Sequence, residues 1–235
     1  LSLEMCHRKH MVINGKHCKR QDIIDIPLVE YLSLPHHKRR FLKGYKVGVE
    51  FNNCVKDLPM PPYLLGQYLG KGMNSASVKL HMNSLMSLGV VKEKHIPHSY
   101  KCNTRGERLE LLSGFLSIRE LNPCNPSLEV VVEDQRNNQR LIQDLKYLIY
   151  SLGFNVFLRK KRNICYLNVT GNKVNEIPHL NREHKIKYKD RLFTPIQVIP
   201  MEEDEYYGFE LDGNHRYLLG DFTVTHNTST IKAIS

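Results

Sequence analysis

The sequence predicts a mixed fold in which an all-β domain, split into two segments of the chain, is interrupted by an α+β domain. Three observations support this prediction. Residues 1–60 and residues 191–227 alternate polar with apolar side chains, as half-buried strands do. Residues 61–190 contain two apolar helical segments with glycine on one face, and then a strand, a patterned helix and a hairpin. One domain inserted into another explains this order with fewer units than three independent domains.

Residues 1–60 are predicted to form short strands. LSLEMCHRKHMVING and KHCKRQDIIDIPLVEYL alternate, an Asn-Gly turn joins two of the strands, and VEYL forms a helical turn before Pro35. KGYKVGVEF (43–51) is a further strand candidate, and three prolines in DLPMPPY mark a boundary near residue 60. A cluster of cysteines and histidines has two interpretations, a metal site or polar decoration of the hairpin, of which the second is favoured. Its members are Cys6, His7, His10, His17 and Cys18.

The middle segment is predicted to be α+β. YLLGQYLGKGM and LELLSGFLSIREL are its apolar helices, with a short helix in VKLHMNSLMSLGV and a proline-containing connector in HIPHSYKCN between them. LEVVVED then forms a strand, and Gly153 ends the helix in QRNNQRLIQDLKYLIYSLG. NVFLRKK and NICYLNVTG form a hairpin that turns near Arg162 and Asn163. Beyond residue 191, strands are predicted in TPIQVIPME, YYGFELD, HRYLL and DFTVT.

Composition limits the environment of the protein. The chain has 235 residues, of which 41% are hydrophobic, enough for a packed core. No apolar run approaches the roughly 18 to 20 residues that span a bilayer, so we expect a soluble protein with no membrane partner, in the cytoplasm or nucleus. Six scattered cysteines without a CxxC pair indicate a reducing compartment. Leu1 lies within a strand pattern, which predicts that a further N-terminal segment exists.

The net charge of +10 is concentrated in three blocks, HHKRR (36–40), LRKKR (158–162) and NREHKIKYKDR (181–191). Such blocks favour a polyanionic partner, most simply nucleic acid, and double-stranded DNA is the candidate partner. A soluble basic surface without a partner is the alternative interpretation.

His226 and Asn227 form the pair of residues with the most specific chemistry. An asparagine amide can attack its own backbone carbonyl, closing a succinimide and cutting the chain after the asparagine. An imidazole accelerates this reaction when it polarises the carbonyl or protonates the departing amine. His215, twelve residues before Asn227 across the predicted hairpin, is a candidate general base, and Thr228 supplies a hydroxyl nucleophile directly after the bond.

EYYGFELDGNHRYLLGDFTVTHNT resembles the C-terminal splicing region of an intein, and DIIDIPLVEYLSL with FLKGYKVGVEF resembles the later N-terminal region. The resemblance implies a Hedgehog/intein-type splicing domain, split into residues 1–60 and 191–227, in which Asn227 cyclises with the help of His226 and His215. Thr228 would be the acceptor of the upstream host segment. The missing N-terminal intein segment and its host segment are the implied partners, and splicing requires no cofactor.

Residues 228–235, TSTIKAIS, then belong to the downstream host protein. Their sequence resembles the end of a phosphate-binding loop, G-x-x-x-x-G-K-[ST], with Thr228 as the hydroxyl residue, a helix beginning after it, and the Gly-Lys half upstream of the intein. This interpretation predicts an ATP-binding host, an AAA+ ATPase such as a clamp-loader subunit. An ordinary amphipathic helix start is the alternative.

LLGQYLGKG (64–72) and LLSGFLSIRE (111–120) resemble the two helices of LAGLIDADG (DOD-type) homing endonucleases, with Gly66 and Gly114 as the helix-packing glycines. The resemblance implies an α+β domain over residues 61–190 whose sheet binds DNA. Arg159, Lys160, Lys161 and Arg162 are the candidate DNA-binding residues, with a solvated basic turn as the alternative interpretation.

This endonuclease is predicted to be inactive. Lys71 and Arg119 occupy the two positions where the family has metal-binding acids, and two cations there would repel a divalent ion. Mg²⁺ is therefore expected as a cofactor only if the endonuclease is active. About forty residues separate the two motifs, too few for a DNA-reading sheet in the first repeat. The alternatives to a splicing function are an active DNA-cleaving endonuclease and a residual DNA-binding module.

Overall fold

The structure is a computed structural model that describes residues 1–5, 10–13, 15–52, 54–73, 75–117, 128–133, 138–171, 173–179, 193–202, 205 and 211–226. The chain forms two compact units. The first consists of Leu1–Val47 together with Leu192–Ser235, and the second of Gly48–Arg191. Within the described residues, no helix is long and apolar enough to cross a membrane.

The first unit is built on a four-stranded antiparallel sheet of order β4-β1-β5-β9. Its strands are β1 (Ser2–Met5), β4 (Ile23–Asp25), β5 (Leu42–Tyr45) and β9 (Phe193–Thr194). Strands β2 (His10–Ile13) and β3 (Lys16–Lys19) form the predicted hairpin, with Gly15 at a φ of +76° in its turn. Two short helices follow β4, α1 (Leu28–Ser33) and α2 (His36–Arg39), and α1 confirms the helical turn predicted at VEYL.

The end of the first unit is a second hairpin, formed by β10 (Arg216–Leu218) and β11 (Val224–His226). The strand predicted for TPIQVIPME is wrong, because no strand occurs between Thr194 and residue 202. Pro195 and Pro200 have no N–H to donate to a neighbouring strand, which explains the difference. KGYKVGVEF is likewise a strand only to Tyr45, apart from one bridge between Lys46 and Thr223. Most of YYGFELD lies outside the described residues.

The second unit is centred on two closely packed helices, α3 (Pro62–Lys71) and α7 (Arg105–Leu116). Their contact depends on two glycines. A Cβ atom at Gly66 would overlap the carbonyl oxygen of Leu111 and lie 2.8 Å from the amide nitrogen of Phe115. A Cβ at Gly114 would overlap the carbonyl oxygen of Tyr63. The predicted packing of the helices through Gly66 and Gly114 is therefore confirmed.

Three short helices connect α3 and α7, namely α4 (Ala76–Lys79), α5 (Met82–Ser87) and α6 (His98–Lys101). The single helix predicted for VKLHMNSLMSLGV is thus divided at Leu80 and His81, and the predicted connector HIPHSYKCN contains α6. Pro97 precedes α6 and favours a helix start, which the sequence interpretation overlooked. Of residues 72–104, all but 74 are described, and those described contain no strand.

A three-stranded antiparallel sheet of order β6-β8-β7 completes the second unit. Its strands are β6 (Leu128–Glu133), β7 (Asn155–Lys161) and β8 (Ile164–Thr170), and Arg162 makes the predicted turn with a φ of +52°. Helix α8 (Gln139–Ser151) buries Leu141, Leu145 and Leu148 in the same core as the sheet. Gly153, at a φ of +77°, follows the helix as predicted.

Arg108 of α7 is completely buried at the start of the second unit. Its guanidinium donates to the carbonyl of Asn103 at 2.9 Å, to Ser151 Oγ at 2.8 Å and to the carbonyl of Val49 at 2.7 Å. The amide of Val49 donates in turn to the carbonyl of Ser151 at 2.9 Å. The amide and the carbonyl of Val49 are therefore both hydrogen-bonded to other residues of the second unit.

Candidate functional site

The described part of the predicted splicing site is the β10–β11 hairpin of the first unit. Arg216 pairs with His226, Tyr217 with Thr225 and Leu218 with Val224. Because residues directly opposite in an antiparallel pair have side chains on the same face, Arg216 and His226 are neighbours on one face of the hairpin. His226 is the last described residue of the chain, so Asn227 and Thr228 lie outside the described residues.

The structure brings the two predicted histidines together. The ring centroids of His215 and His226 are 6.0 Å apart, and the rings are tilted by 46°. His215 has a φ of +55°, in the left-handed region that side chains other than glycine rarely adopt. A residue in this conformation costs the folded state on the order of 1–3 kcal/mol, and such residues occur most often at functional sites. Asn214 supports the turn, since its Oδ1 accepts from the amide of Arg216 at 3.2 Å.

An ion pair that sequence reasoning missed lies beside these histidines. Arg216 Nη2 donates to Asp25 Oδ2 at 2.5 Å, and Ser2 Oγ donates to Asp25 Oδ1 at 2.6 Å. Burial acts to raise the pKa of Asp25, but the hydrogen bonds from Ser2 and Arg216 and the attraction of Arg216 and His226 outweigh it, so that the pKa is lowered overall. The Asp25 hydrogen bond likewise raises the pKa of Arg216. The carboxylate is thus ionised and fixed at both oxygens.

A second ion pair anchors the turn of the same hairpin. Lys46, whose side chain is 7% exposed, contacts Asp221 Oδ2 at 2.9 Å. Asp221 also accepts from the Thr223 amide at 3.1 Å and from the Thr223 hydroxyl at 3.0 Å. Burial acts to raise the pKa of Asp221, but these hydrogen bonds and the charge of Lys46 lower it overall. The ion pair therefore holds the turn against the end of β5.

Replacing Asp221 is expected to make the protein less sensitive to acid. Because the folded-state pKa of Asp221 lies below its ordinary value of 3.8, its contribution to stability is present above 3.8 and is lost as the pH falls through the folded-state pKa. The free energy of unfolding should therefore fall more between neutral pH and about pH 3 in wild type than in Asp221→Asn. Denaturant titrations at several pH values measure this difference. Asp212, an exposed carboxylate of the same unit, gives the matched control: the free energy of unfolding of Asp212→Asn should fall with pH as it does in wild type. An equal loss in wild type and Asp221→Asn would contradict the prediction.

The candidate DNA-binding residues lie at one end of the second unit's sheet. Arg159 and Lys161 alternate with Lys160 along β7, and Arg162 follows in the turn. The guanidinium of Arg159 stacks on the ring of Tyr166 at 4.9 Å and lies 3.5 Å from Glu129. The face is therefore not uniformly basic, because a carboxylate already partly neutralises Arg159.

Lys71 is an exposed residue at the end of α3, and Arg119 lies outside the described residues. A cation at a helix C-terminus is favoured by the helix dipole, so Lys71 stabilises the helix end where the resembled family has an acid. Among the residues that the structure describes, no group of three His, Cys, Asp or Glu could hold a metal ion. Cys6 and His7 of the N-terminal cluster lie outside them, whereas His10 and His17 lie on strands β2 and β3.

Comparison with known proteins finds one partial similarity, to a longer protein. The chain is similar to the replicative DNA helicase DnaB from Mycobacterium intracellulare, with 31% identity over 223 residues. The similarity covers 76% of this chain but only 38% of the helicase, so the chain spans well under half of that protein's length. No protein-family model matches the chain.

Proposed function

We propose that the chain is part of an intein, an element that excises itself from a host protein, and that it cleaves the bond between Asn227 and Thr228. The observation that supports this function most directly is the approach of His215 and His226 to 6.0 Å at the end of the β10–β11 hairpin. The test is the release of residues 228–235 from the purified chain and its loss in Asn227→Ala.

In the proposed reaction, Asn227 Nδ2 attacks the backbone carbonyl carbon of Asn227 and loses one proton to His215, the general base. The peptide C–N bond to Thr228 then breaks, and His226 donates a proton to the departing amine. The products are a chain that ends in a succinimide and a peptide with a free amine on Thr228. No water, metal or cofactor enters this balance.

Complete splicing needs two more components, an upstream junction residue and the upstream host segment. Both are proposed partners of this chain. When the upstream segment has been transferred to the Thr228 hydroxyl, cyclisation of Asn227 releases the intein from the host. We further propose a host protein that acts on DNA, which the partial similarity to a longer replicative DNA helicase supports. An ATP-binding loop completed by residues 228–235 stays a prediction.

DNA binding by the second unit is a second candidate function. The close packing of α3 and α7 through Gly66 and Gly114 favours descent from an endonuclease of the LAGLIDADG type. The exposed Lys161 at the end of β7 supports retained binding. Lys71 argues against cleavage, so we propose an endonuclease-like domain that no longer cuts DNA. Nicking of a plasmid with Mg²⁺ or Mn²⁺ that is lost in Lys71→Ala or Arg119→Ala would overturn this proposal.

If the β7 end of the sheet binds DNA, Lys161→Gln is expected to weaken binding to all duplex sequences alike. One lost phosphate contact should reduce the slope of log K against log salt concentration by about 1. Fluorescence anisotropy with a labelled duplex over a range of salt concentrations measures the slope. Lys79→Gln, on an exposed helical lysine of the same unit, is the matched control and should leave the slope unchanged. Equal slopes for wild type and Lys161→Gln would exclude the contact.

A further inference from the structure

A cavity of about 500 Å³ lies in the first unit, among β2, β3, β4 and the start of α1. Its volume falls within the range of about 300–1,000 Å³ that is usual for small-ligand sites in proteins. All of its lining residues lie between Ile13 and Glu30, and the structure describes each of them. None of them belongs to the β10–β11 hairpin, so the cavity is distinct from the proposed splicing site.

The inner wall of the cavity is apolar. Ile13 and Ile26 are each 3% exposed and Cys18 is 6% exposed, so these lining side chains belong to the core of the first unit. Ile24, also in the lining, is partly buried and packs against the same core. An alkyl chain in contact with this wall would leave water, which favours binding in proportion to the apolar surface buried.

The mouth of the cavity is acidic. Asp22, Asp25 and Glu30 line it and are exposed to solvent, whereas Lys16 is the single lysine or arginine of the lining. Three negative charges and one positive charge give the lining a net charge of −2 with His17 neutral, in a chain whose net charge is +10. A negative lining in a positively charged protein favours cationic ligands over anionic ones.

Asp22 brings its charge to the inner wall. Its Oδ2 accepts from the Lys19 amide at 2.7 Å, a neutral donor that does not compensate the charge of the carboxylate. The pKa of the Cys18 thiol is raised, first by burial and then by the charge of Asp22, and the opposing effect of Lys16 is smaller than that of Asp22. A cation beside the inner wall is therefore attracted by Asp22 more strongly than it is repelled by Lys16.

We propose that this cavity binds an alkylammonium ion of the diamine or polyamine class. The carbon chain of the ligand contacts the isoleucines of the inner wall, and its ammonium groups pair with Asp22 and Glu30. Asp25 already pairs with Arg216, so it is not assigned to the ligand. Two carboxylates match two ammonium groups on one chain, which favours a diamine over a monoamine. The site does not depend on cleavage at Asn227, and its failure would leave that proposal unchanged.

The test titrates the whole chain, labelled at its isoleucine methyl groups, with diaminobutane and follows the methyl signals by NMR. The signals of Ile13, Ile24 and Ile26 are expected to shift and to saturate as the cavity fills. The signals of Ile142 and Ile149, which are buried in the core of the second unit, should not move. Butylamine, with one ammonium group, should bind more weakly, and butanediol, which is uncharged, should cause no saturable shift.

Two substitutions remove the charges that the ligand uses. Asp22→Asn and Glu30→Gln should each weaken binding of diaminobutane by about fivefold, the upper end for an ion pair at the surface. Both replacements keep a side-chain oxygen, so the Lys19 amide retains an acceptor in Asp22→Asn. Glu202→Gln is the matched control, since Glu202 is an exposed carboxylate of the same unit outside the cavity, and its affinity should equal that of wild type.

Four results would overturn the inference. They are the absence of a saturable shift in wild type, equal affinities of wild type and both cavity variants, an equal loss of affinity in Glu202→Gln, and a response to butanediol as large as that to diaminobutane. Tighter binding of Nα-acetyl-lysine methylamide than of diaminobutane would reject a free diamine in favour of a lysine side chain from a peptide. Thermal unfolding of each variant checks that the first unit remains folded.

Discussion

The purified chain is expected to release residues 228–235 at neutral pH, and Asn227→Ala is expected to retain them completely. Alanine has no amide to attack the backbone carbonyl, so the variant removes the nucleophile and leaves the hairpin unchanged. Intact-mass spectrometry over time measures the loss of the eight-residue peptide. The shortened chain should also be lighter by one water than the product of hydrolysis at the same bond, because cyclisation leaves a succinimide.

Asn163→Ala is the matched control for this experiment. Asn163 is the turn residue after Arg162 in the second unit, and its replacement should leave the release rate unchanged. Loss of the same peptide from Asn227→Ala would contradict the prediction and indicate a contaminating protease. A peptide that stays attached to wild type, even when an upstream intein segment is supplied in trans, would contradict the splicing function.

Gly114→Ala is expected to destabilise the second unit by about 3 kcal/mol. The added Cβ would overlap the carbonyl oxygen of Tyr63 and lie 2.8 Å from its carbonyl carbon. Both atoms belong to the backbone of α3, so neither can move aside without a shift of that helix. Thermal and denaturant unfolding followed by circular dichroism measure the loss.

Gly106→Ala, on the same helix, is the matched control. The nearest atom to a Cβ at Gly106 is Thr104 Oγ1 at 3.9 Å, so the substitution creates no overlap. Since alanine favours a helix over glycine by roughly 0.5–1 kcal/mol, Gly106→Ala should be neutral or slightly stabilising. Equal effects of the two substitutions would show that helix propensity, and not the close contact, determines the result.

The sequence predicts those parts of this protein whose causes are local. The β2–β3 hairpin follows from alternation and a glycine at positive φ, and the end of α8 follows from Gly153. The contact of α3 and α7 is not local, and it was predicted from the resemblance of the two helices to those of LAGLIDADG homing endonucleases. The approach of His215 to His226 needed only the register of one short hairpin.

Long-range contacts that no family resemblance indicates could not be predicted from the sequence. Asp25 and Arg216 are 191 residues apart, and no local pattern in either segment indicates their ion pair. The strand expected after Thr194 failed for a different reason, because its apolar residues alternate but two prolines remove backbone donors. The short helices between α3 and α7 were merged or overlooked, since segments of four to six residues contain too few turns for a clear period.

The buried Arg108 indicates where the second unit should be cut out to leave the first unit with the fewest unsatisfied polar groups. A deletion that began at the prolines near residue 60 would retain Val49. It would remove the Arg108 guanidinium, which donates to the Val49 carbonyl, and the Ser151 carbonyl, which accepts from the Val49 amide. The remaining chain would then keep the backbone around Val49 without the groups that bind its amide and its carbonyl. A deletion that begins at Gly48, which approaches Gly153 so closely that a Cβ would lie 2.9 Å from its nitrogen, removes the whole interlocked segment together. The chain shortened from Gly48 should therefore be left with fewer unsatisfied polar groups than the chain shortened from residue 60.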